Sequence, residues 1–247
     1  MSKNIILFDV DGTLVESGDK IYDENKYILL NKLKAKYEIG IVGGGSLDKI
    51  LQQLNYKKIQ FDHYFTECGC MYYDSSLKNI YSKNIRKHYL YDKINIIIKK
   101  ALQFISNVSY NITGHFIDLR NGIIYISLIG MQANEDERVY FKDLDSKFDI
   151  RKQLLLILRN EAKKLNIFDK LSINYGGTVG IGVYPIEYDK IQVIDVLLSK
   201  NKYNKILYFG DKYDEDGNDY NIINHDKVTG YKIDKVSQTY DNLQNLV

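Results

Sequence analysis

A short apolar run from Asn4 to Val10 closes on the string Asp9-Val10-Asp11-Gly12-Thr13. An uninterrupted series of Ile, Leu, Phe and Val this short reads as a strand covered on both faces, as in a parallel sheet. Residues two apart on an extended chain project the same way. A tight turn after Asp9 therefore aims Asp9 and Asp11 at one pocket beyond the strand end. Gly12 permits that turn and lets an anion approach the backbone. A surface turn of acidic residues could carry the same string, so the rest of the chain has to decide.

The rest of the chain repeats the pattern. A helix is expected from Asp23 to Tyr37, with Ile28, Leu29 and Leu33 on its inner face, then a strand over Glu38 to Val42. Gly43-Gly44-Gly45-Ser46 follows, then a helix turning Ile50, Leu51 and Leu54 inward. Strand, loop and helix in this order describe a doubly wound α/β sheet, in which ligands bind beyond the carboxyl ends of the strands. Phe61 to Tyr73 and Leu77 to Tyr81 read as short strands at the sheet edge, and Tyr91 to Val108 as an amphipathic stretch.

The pattern then changes. Phe116 to Arg120 and Ile123 to Leu128 flank Asn121-Gly122, a strong hairpin signal. Helices over Asn134 to Lys147 and Ile150 to Leu165 follow, then strands over Leu171 to Tyr175 and Val179 to Val183 joined at Gly176-Gly177. After Pro185 the α/β order returns, with a helix over Lys190 to Ser199, a strand over Lys205 to Phe209 and a last helix over Asp234 to Leu246. The expected fold is a doubly wound, mostly parallel α/β core over residues 1–83 and 186–247, split by an α+β cap over 84–185.

A second strand ending in Gly210-Asp211 brings a third carboxylate to the same end of the sheet. With Asp9 it suggests an oxygen-rich magnesium site. Lys190 can neutralise charge there, and Gly44, Gly45 and Ser46 offer N–H groups and a hydroxyl to phosphate oxygens. The set suits phosphoryl transfer. Asp9 is the nucleophile, and Asp11 becomes a proton donor where its neighbours raise its pKa. A net charge of +2 argues against a nucleic-acid partner. No stretch approaches the length of a membrane span, and the first apolar run is too short for a secretion signal. Cys68 and Cys70, in a C-x-C, read as reduced thiols suited to the cytosol. His63, His88, His115 and His225 show no ligand spacing.

The DxDGT start and the late Gly-Asp resemble the haloacid dehalogenase superfamily. FDVDGTL, GIVGGGSLDKI, HFIDLRNG, SLIG, EDERVYF, YGG, YPIEYDK and YFGDKYDEDGND also stand in the order found in eukaryotic-type phosphomannomutases. The resemblance covers nearly the whole chain. It implies interconversion of mannose 6-phosphate and mannose 1-phosphate, feeding GDP-mannose synthesis. Asp9 would be phosphorylated and Asp11 would be the acid/base. Mg2+ would lie on Asp9, the Asp11 main-chain carbonyl and Asp211, and a hexose 1,6-bisphosphate would act as activator. Arg120 and Arg138 would grip the distal phosphate, and the chain would form a homodimer through the cap near Phe116. The chain departs from the family pattern at Gly18, Tyr125, Met131, Gly180 and Gly182, and at Gly45, where the family Ser is displaced to Ser46. These departures leave open a sugar-phosphate phosphatase on the same scaffold, or a binding protein without turnover.

Overall fold

The structure is a computed structural model and describes residues 3–200, 203–215 and 217–247. In chain order the elements are β1 (Lys3–Phe8), α1 (Glu24–Leu33), β2 (Glu38–Val42), α2 (Leu47–Leu54), β3 (His63–Thr66), β4 (Met71–Asp74) and β5 (Asn79–Ser82). They continue with α3 (Tyr91–Ile105), β6 (Ile117–Leu119), β7 (Ile124–Ser127), α4 (Glu135–Phe148), α5 (Ile150–Lys164), β8 (Leu171–Gly176) and β9 (Gly180–Pro185). The last are α6 (Gln192–Lys200), β10 (Tyr203–Gly210), α7 (Tyr220–Ile223), β11 (Val228–Lys232) and α8 (Val236–Gln244). The chain divides into one compact unit of Met1–Lys83 with Asp189–Val247 and another of Asn84–Tyr188.

In the first unit the sheet runs β11-β10-β1-β2-β3-β4-β5. The pairs from β11 to β3 are parallel, and β4 and β5 close the edge antiparallel. The apolar run of β1 is explained by its two faces. Ile6 and Phe8 pack with Tyr27 and Leu30 of α1, Ile50 of α2 and Tyr240 of α8. Ile5 and Leu7 pack with Val193 and Leu197 of α6 and Ile222 of α7. A strand covered on both faces has no room for polar residues until it ends, and Asp9 follows at once.

Two sequence expectations shift here. Tyr27, Leu30 and Leu33 form the buried stripe of α1, while Ile28 faces solvent at 53% exposure. The Tyr27 hydroxyl donates to the Ile21 carbonyl at 2.7 Å and fixes the helix roll. On α2, Gln53 is buried beside Ile50 and Leu54, and Leu51 is only partly covered. The short α7 and the edge strand β11 have no counterpart in the expected element order.

In the second unit the sheet is antiparallel in the order β6-β7-β9-β8. Ile124, Ile126, Ile181 and Val183 are buried, as are Ile94, Ile97 and Ala101 of α3 and Leu154 and Leu158 of α5. Helix α4 begins at a reciprocal cap. Glu137 N–H donates to Asn134 Oδ1 at 2.9 Å, and Asn134 N–H donates to Glu137 Oε2 at 2.7 Å. Strand β9 runs through Pro185, opposite Leu171, and the turn at 186–188 stays with this unit. No described helix is long and apolar enough to cross a membrane.

Candidate active site

Strands β10, β1 and β2 are neighbours, and their carboxyl ends release Asp211, Asp9 and the Gly43–Gly45 loop. After Asp9 the chain turns within a few residues: Gly12 N–H donates to the Val15 carbonyl at 2.7 Å, and Leu14 N–H to the Val10 carbonyl at 3.0 Å. Gly12 has φ of +87°, and a side chain there would collide with the Asp211 carboxylate. The glycine is therefore demanded twice, by conformation and by space.

Lys190 organises the floor of the site. Its ammonium is buried and donates to Asp9 Oδ1 at 2.7 Å and to Asp219 Oδ1 at 2.7 Å. Asp219 also accepts from the Tyr208 hydroxyl at 2.5 Å and, through Oδ2, from the Lys212 N–H at 3.0 Å. Burial, the largest influence, and the charges of Asp219 and Asp211 push Asp9 up to about 8, with Lys190 pulling the other way. Burial likewise raises Asp211. The carboxylates of Asp9 and Asp219 hold Lys190 well above its usual range against the opposing effect of burial. Lys190 is thus a fixed cation shared between two carboxylates.

A divalent cation fits this donor set. Carboxylate oxygens of Asp9, Asp211 and Asp219 lie within 4.8 Å of one another. Asp211 Oδ1 is buried and has no hydrogen-bond partner, the condition of a hard oxygen ligand awaiting a cation. A cation there would also reverse the upward push on Asp9.

The expected metal ligands were Asp9, the Asp11 main-chain carbonyl and Asp211, and among the described residues the carboxylates that converge are Asp9, Asp211 and Asp219. The Asp11 side chain is engaged elsewhere. Its Oδ1 accepts from Gly18 N–H and Gln53 Nε2, both at 2.8 Å, and its Oδ2 accepts from Lys49 Nζ at 2.7 Å. Burial disfavours its charge, but Lys49 and the donors from Gly18 and Gln53 outweigh burial and lower its pKa. The neighbours therefore stabilise a carboxylate, the opposite of the shift expected for a proton donor at rest. With its carboxylate turned to Lys49 and Gln53, Asp11 would meet a metal through its main-chain carbonyl.

The glycine loop follows β2, the neighbour of β1, and Gly43 stands against the Val10 side chain. Cys68 N–H donates to the Gly43 carbonyl at 2.9 Å, Glu67 N–H to the Gly45 carbonyl at 3.1 Å, and Gln192 Nε2 to the Cys68 carbonyl at 2.8 Å. Ser46 caps α2, its hydroxyl accepting from Lys49 N–H at 3.5 Å. Cys68 and Cys70 are buried free thiols, and burial pushes each up to about 12, so neither is a nucleophile.

In the second unit Arg120 pairs with Asp118 at 2.7 Å, and Arg138 donates to the Ala133 and Met131 carbonyls at 2.9 and 3.2 Å. Tyr125 lies between strands, opposite Asp118 on one side and Gly182 on the other. Its hydroxyl donates to the Gly176 carbonyl at 2.9 Å, and the Arg120 guanidinium stands 5.7 Å from its ring centroid. A Cβ on Gly176 would be 2.6 Å from Tyr125 Cε2, and one on Gly180 would be 2.5 Å from Tyr125 Cζ and would also strike the Ile126 carbonyl. The large residue at 125 and the glycines beneath it are one packing arrangement. Gly176→Ala is expected to cost about 1–3 kcal/mol in the natural chain and much less in a Tyr125→Asn background. Urea unfolding would measure both, and equal costs would show that the ring does not hold the space.

Comparison with known proteins decides the family. A family model described as eukaryotic phosphomannomutase matches residues 26–247. The chain belongs to that family. It is 35% identical over 235 residues to phosphomannomutase 2 of Dictyostelium discoideum, covering 93% of this chain and 91% of the relative. It is 32% identical over 242 residues to the phosphomannomutase of Arabidopsis thaliana, covering 95% and 93%. The IMP-bound IMP-nucleotidase of Plasmodium falciparum shares the fold at a TM-score of 0.70 and 16% identity, over 99% of this chain and 68% of that one. A trehalose-6-phosphate phosphatase related protein does so at 0.59 and 17%, over 98% and 96%. The strand ends and their charges in the sequence had pointed to Asp9, Asp11, Lys190 and Asp211. The structure adds Asp219, Lys49, Gln53 and Tyr208 to that neighbourhood.

Proposed function

We propose that this chain is a magnesium-dependent phosphomannomutase that works through a phosphorylated Asp9. The observation that carries the proposal is Asp9, at the carboxyl end of β1, tied to the buried Lys190 and lying beside Asp211. Mg2+ would be held by Asp9, Asp211 and the Asp11 main-chain carbonyl, and it would offset charge on a transferring phosphoryl group.

With Asp9 phosphorylated, a sugar hydroxyl attacks phosphorus, the Asp9 Oδ–P bond breaks, and Asp11 takes the hydroxyl proton. The ionised form stabilised by Lys49, Gln53 and Gly18 is the one this step needs. In the return half-reaction Asp9 attacks the other phosphate of the bisphosphate. The P–O bond to the sugar breaks, and the proton held on Asp11 passes to the leaving oxygen. A hexose 1,6-bisphosphate primes the cycle by phosphorylating free Asp9. Ser46 and the Gly44–Gly45 backbone receive the reacting phosphate, and Arg120 and Arg138 the other. Homodimerisation near Phe116 and a cytosolic setting, which suits the two free thiols, belong to the same proposal.

One observation favours a second reading. Arg120 and Arg138 already have partners within their own unit, so a weak hold on the distal phosphate would let water discharge Asp9. Incubation with Mg2+ and mannose 1-phosphate, with and without glucose 1,6-bisphosphate, separates the two by phosphorus NMR. Mannose 6-phosphate is expected, with stimulation by the bisphosphate. Free phosphate alone would identify a phosphatase, and no turnover would overturn both.

A further inference from the structure

Three carboxylates surround the cation position, and they are not equivalent. Asp219 is fully buried, and its Oδ1 accepts two donors, Lys190 Nζ at 2.7 Å and the Tyr208 hydroxyl at 2.5 Å. Its Oδ2 accepts from the Lys212 N–H at 3.0 Å. A carboxylate oxygen has two in-plane lone pairs, so Oδ1 is filled. Asp211 Oδ1, by contrast, is buried with no hydrogen-bond partner. Gly210 makes the Asp219 position possible, since a Cβ there would be 2.6 Å from Asp219 Cγ and 2.8 Å from Tyr208 Cε1.

We propose that Tyr208 is a positioning residue that reserves Asp219 for Lys190 and keeps it out of the metal site. Tyr208 is fully buried in the apolar layer beneath the strands, and its hydroxyl has Asp219 as acceptor. Without that donor the carboxylate is fixed only by Lys190 and the Lys212 N–H, and it is freer to turn an oxygen toward Asp9 and Asp211, whose carboxylate oxygens lie within 4.8 Å of its own. The cation would then meet three carboxylates where it now meets two, and Lys190 would lose the fixed anion that holds it on Asp9. Added carboxylate charge tightens divalent-cation binding, while a looser Lys190 slows transfer from Asp9. The hydroxyl thus trades cation affinity for placement of the lysine.

The effects of removing it run in opposite directions, which loosened packing alone would not produce. Tyr208→Phe is expected to bind Mg2+ about tenfold more tightly by titration calorimetry without substrate, and to lose about tenfold in kcat with little change in KM, on the scale of one charge-assisted hydrogen bond. Unchanged or weaker Mg2+ binding by a folded variant, judged by circular dichroism and a metal-free melt, would overturn the proposal. If Tyr208→Phe does not fold, 3-fluorotyrosine placed at position 208 alone keeps the shape and makes the hydroxyl a stronger donor. Weaker Mg2+ binding is then expected, and unchanged or tighter binding would overturn it. The inference rests on the cation site of the proposed mutase. Its test measures the cation without substrate, so failure of the mutase reading would leave the calorimetry interpretable.

Discussion

Asp9→Asn is expected to lower turnover by about 10^4-fold or more, the scale on which losing a covalent nucleophile removes catalysis. The amide keeps the size of the carboxylate but cannot attack phosphorus to form the acyl phosphate. The same substitution should not weaken the fold. Burial and the charges of Asp219 and Asp211 push Asp9 up to about 8 despite Lys190. An acid whose pKa is raised by folding destabilises the native state above its unfolded pKa, and the cost is relieved only as pH falls through the folded value. At pH 8.5 and without divalent cation, the Asn variant should therefore melt no lower than the natural chain. A melting temperature several degrees lower would show that attraction to Lys190 outweighs burial and repulsion, and the loss of turnover could then no longer be assigned to chemistry alone.

Most of the architecture was legible because strands covered on both faces leave an unbroken apolar signature. Asn4 to Val10 and Lys205 to Phe209 announced the central strands, and the acids that end them announced Asp9 and Asp211. The edge elements were less legible. Strand β11 is only partly covered, and its Val-Thr-Gly-Tyr-Lys sequence carries little periodic signal. Asp219 was missed because it lies in a polar stretch with other acidic residues, each as plausible as the next. What selects it is the absence of a side chain at Gly210 and the reach of Lys190 and Tyr208, both properties of packing between distant segments.

Lys49 and Gln53 were within reach of sequence reasoning. They stand four apart on α2, on one helical face, and that face meets Asp11. The relation of Tyr125 to Gly176 and Gly180 was out of reach, because it depends on the antiparallel register of β7, β9 and β8. Taken singly, Tyr125 and Gly180 read as departures from the family pattern, and Gly176 as part of a turn. In the structure the ring fills the room that the glycines leave.

Lys190→Met should have the largest effect on stability, because the lysine is the buried cation between two buried carboxylates. Removing one partner of such a group strands the other charges and costs about 3–5 kcal/mol, a fall of roughly 10 °C in Tm for a chain of this size. The loss has a defined pH dependence. Asp9 already lies high, and without the ammonium it rises further, so stranded charge is greatest above pH 8. As pH falls to about 8 and below, Asp9 is protonated in both proteins, so its share of the deficit should disappear by neutral pH, while the share from leaving Asp219 without its cation is not relieved by that proton. Saturating Mg2+ should recover part of the loss at pH 8.5, since a cation held by Asp9 and Asp211 supplies some of the missing positive charge. It should not restore turnover, because Asp9 would no longer be held by the lysine. Melts from pH 5 to 9, with and without Mg2+, would check this. A pH-independent deficit would mean that Asp9 is not stranded by the loss of the lysine and that the lysine acts through Asp219 and the packing of its alkyl chain.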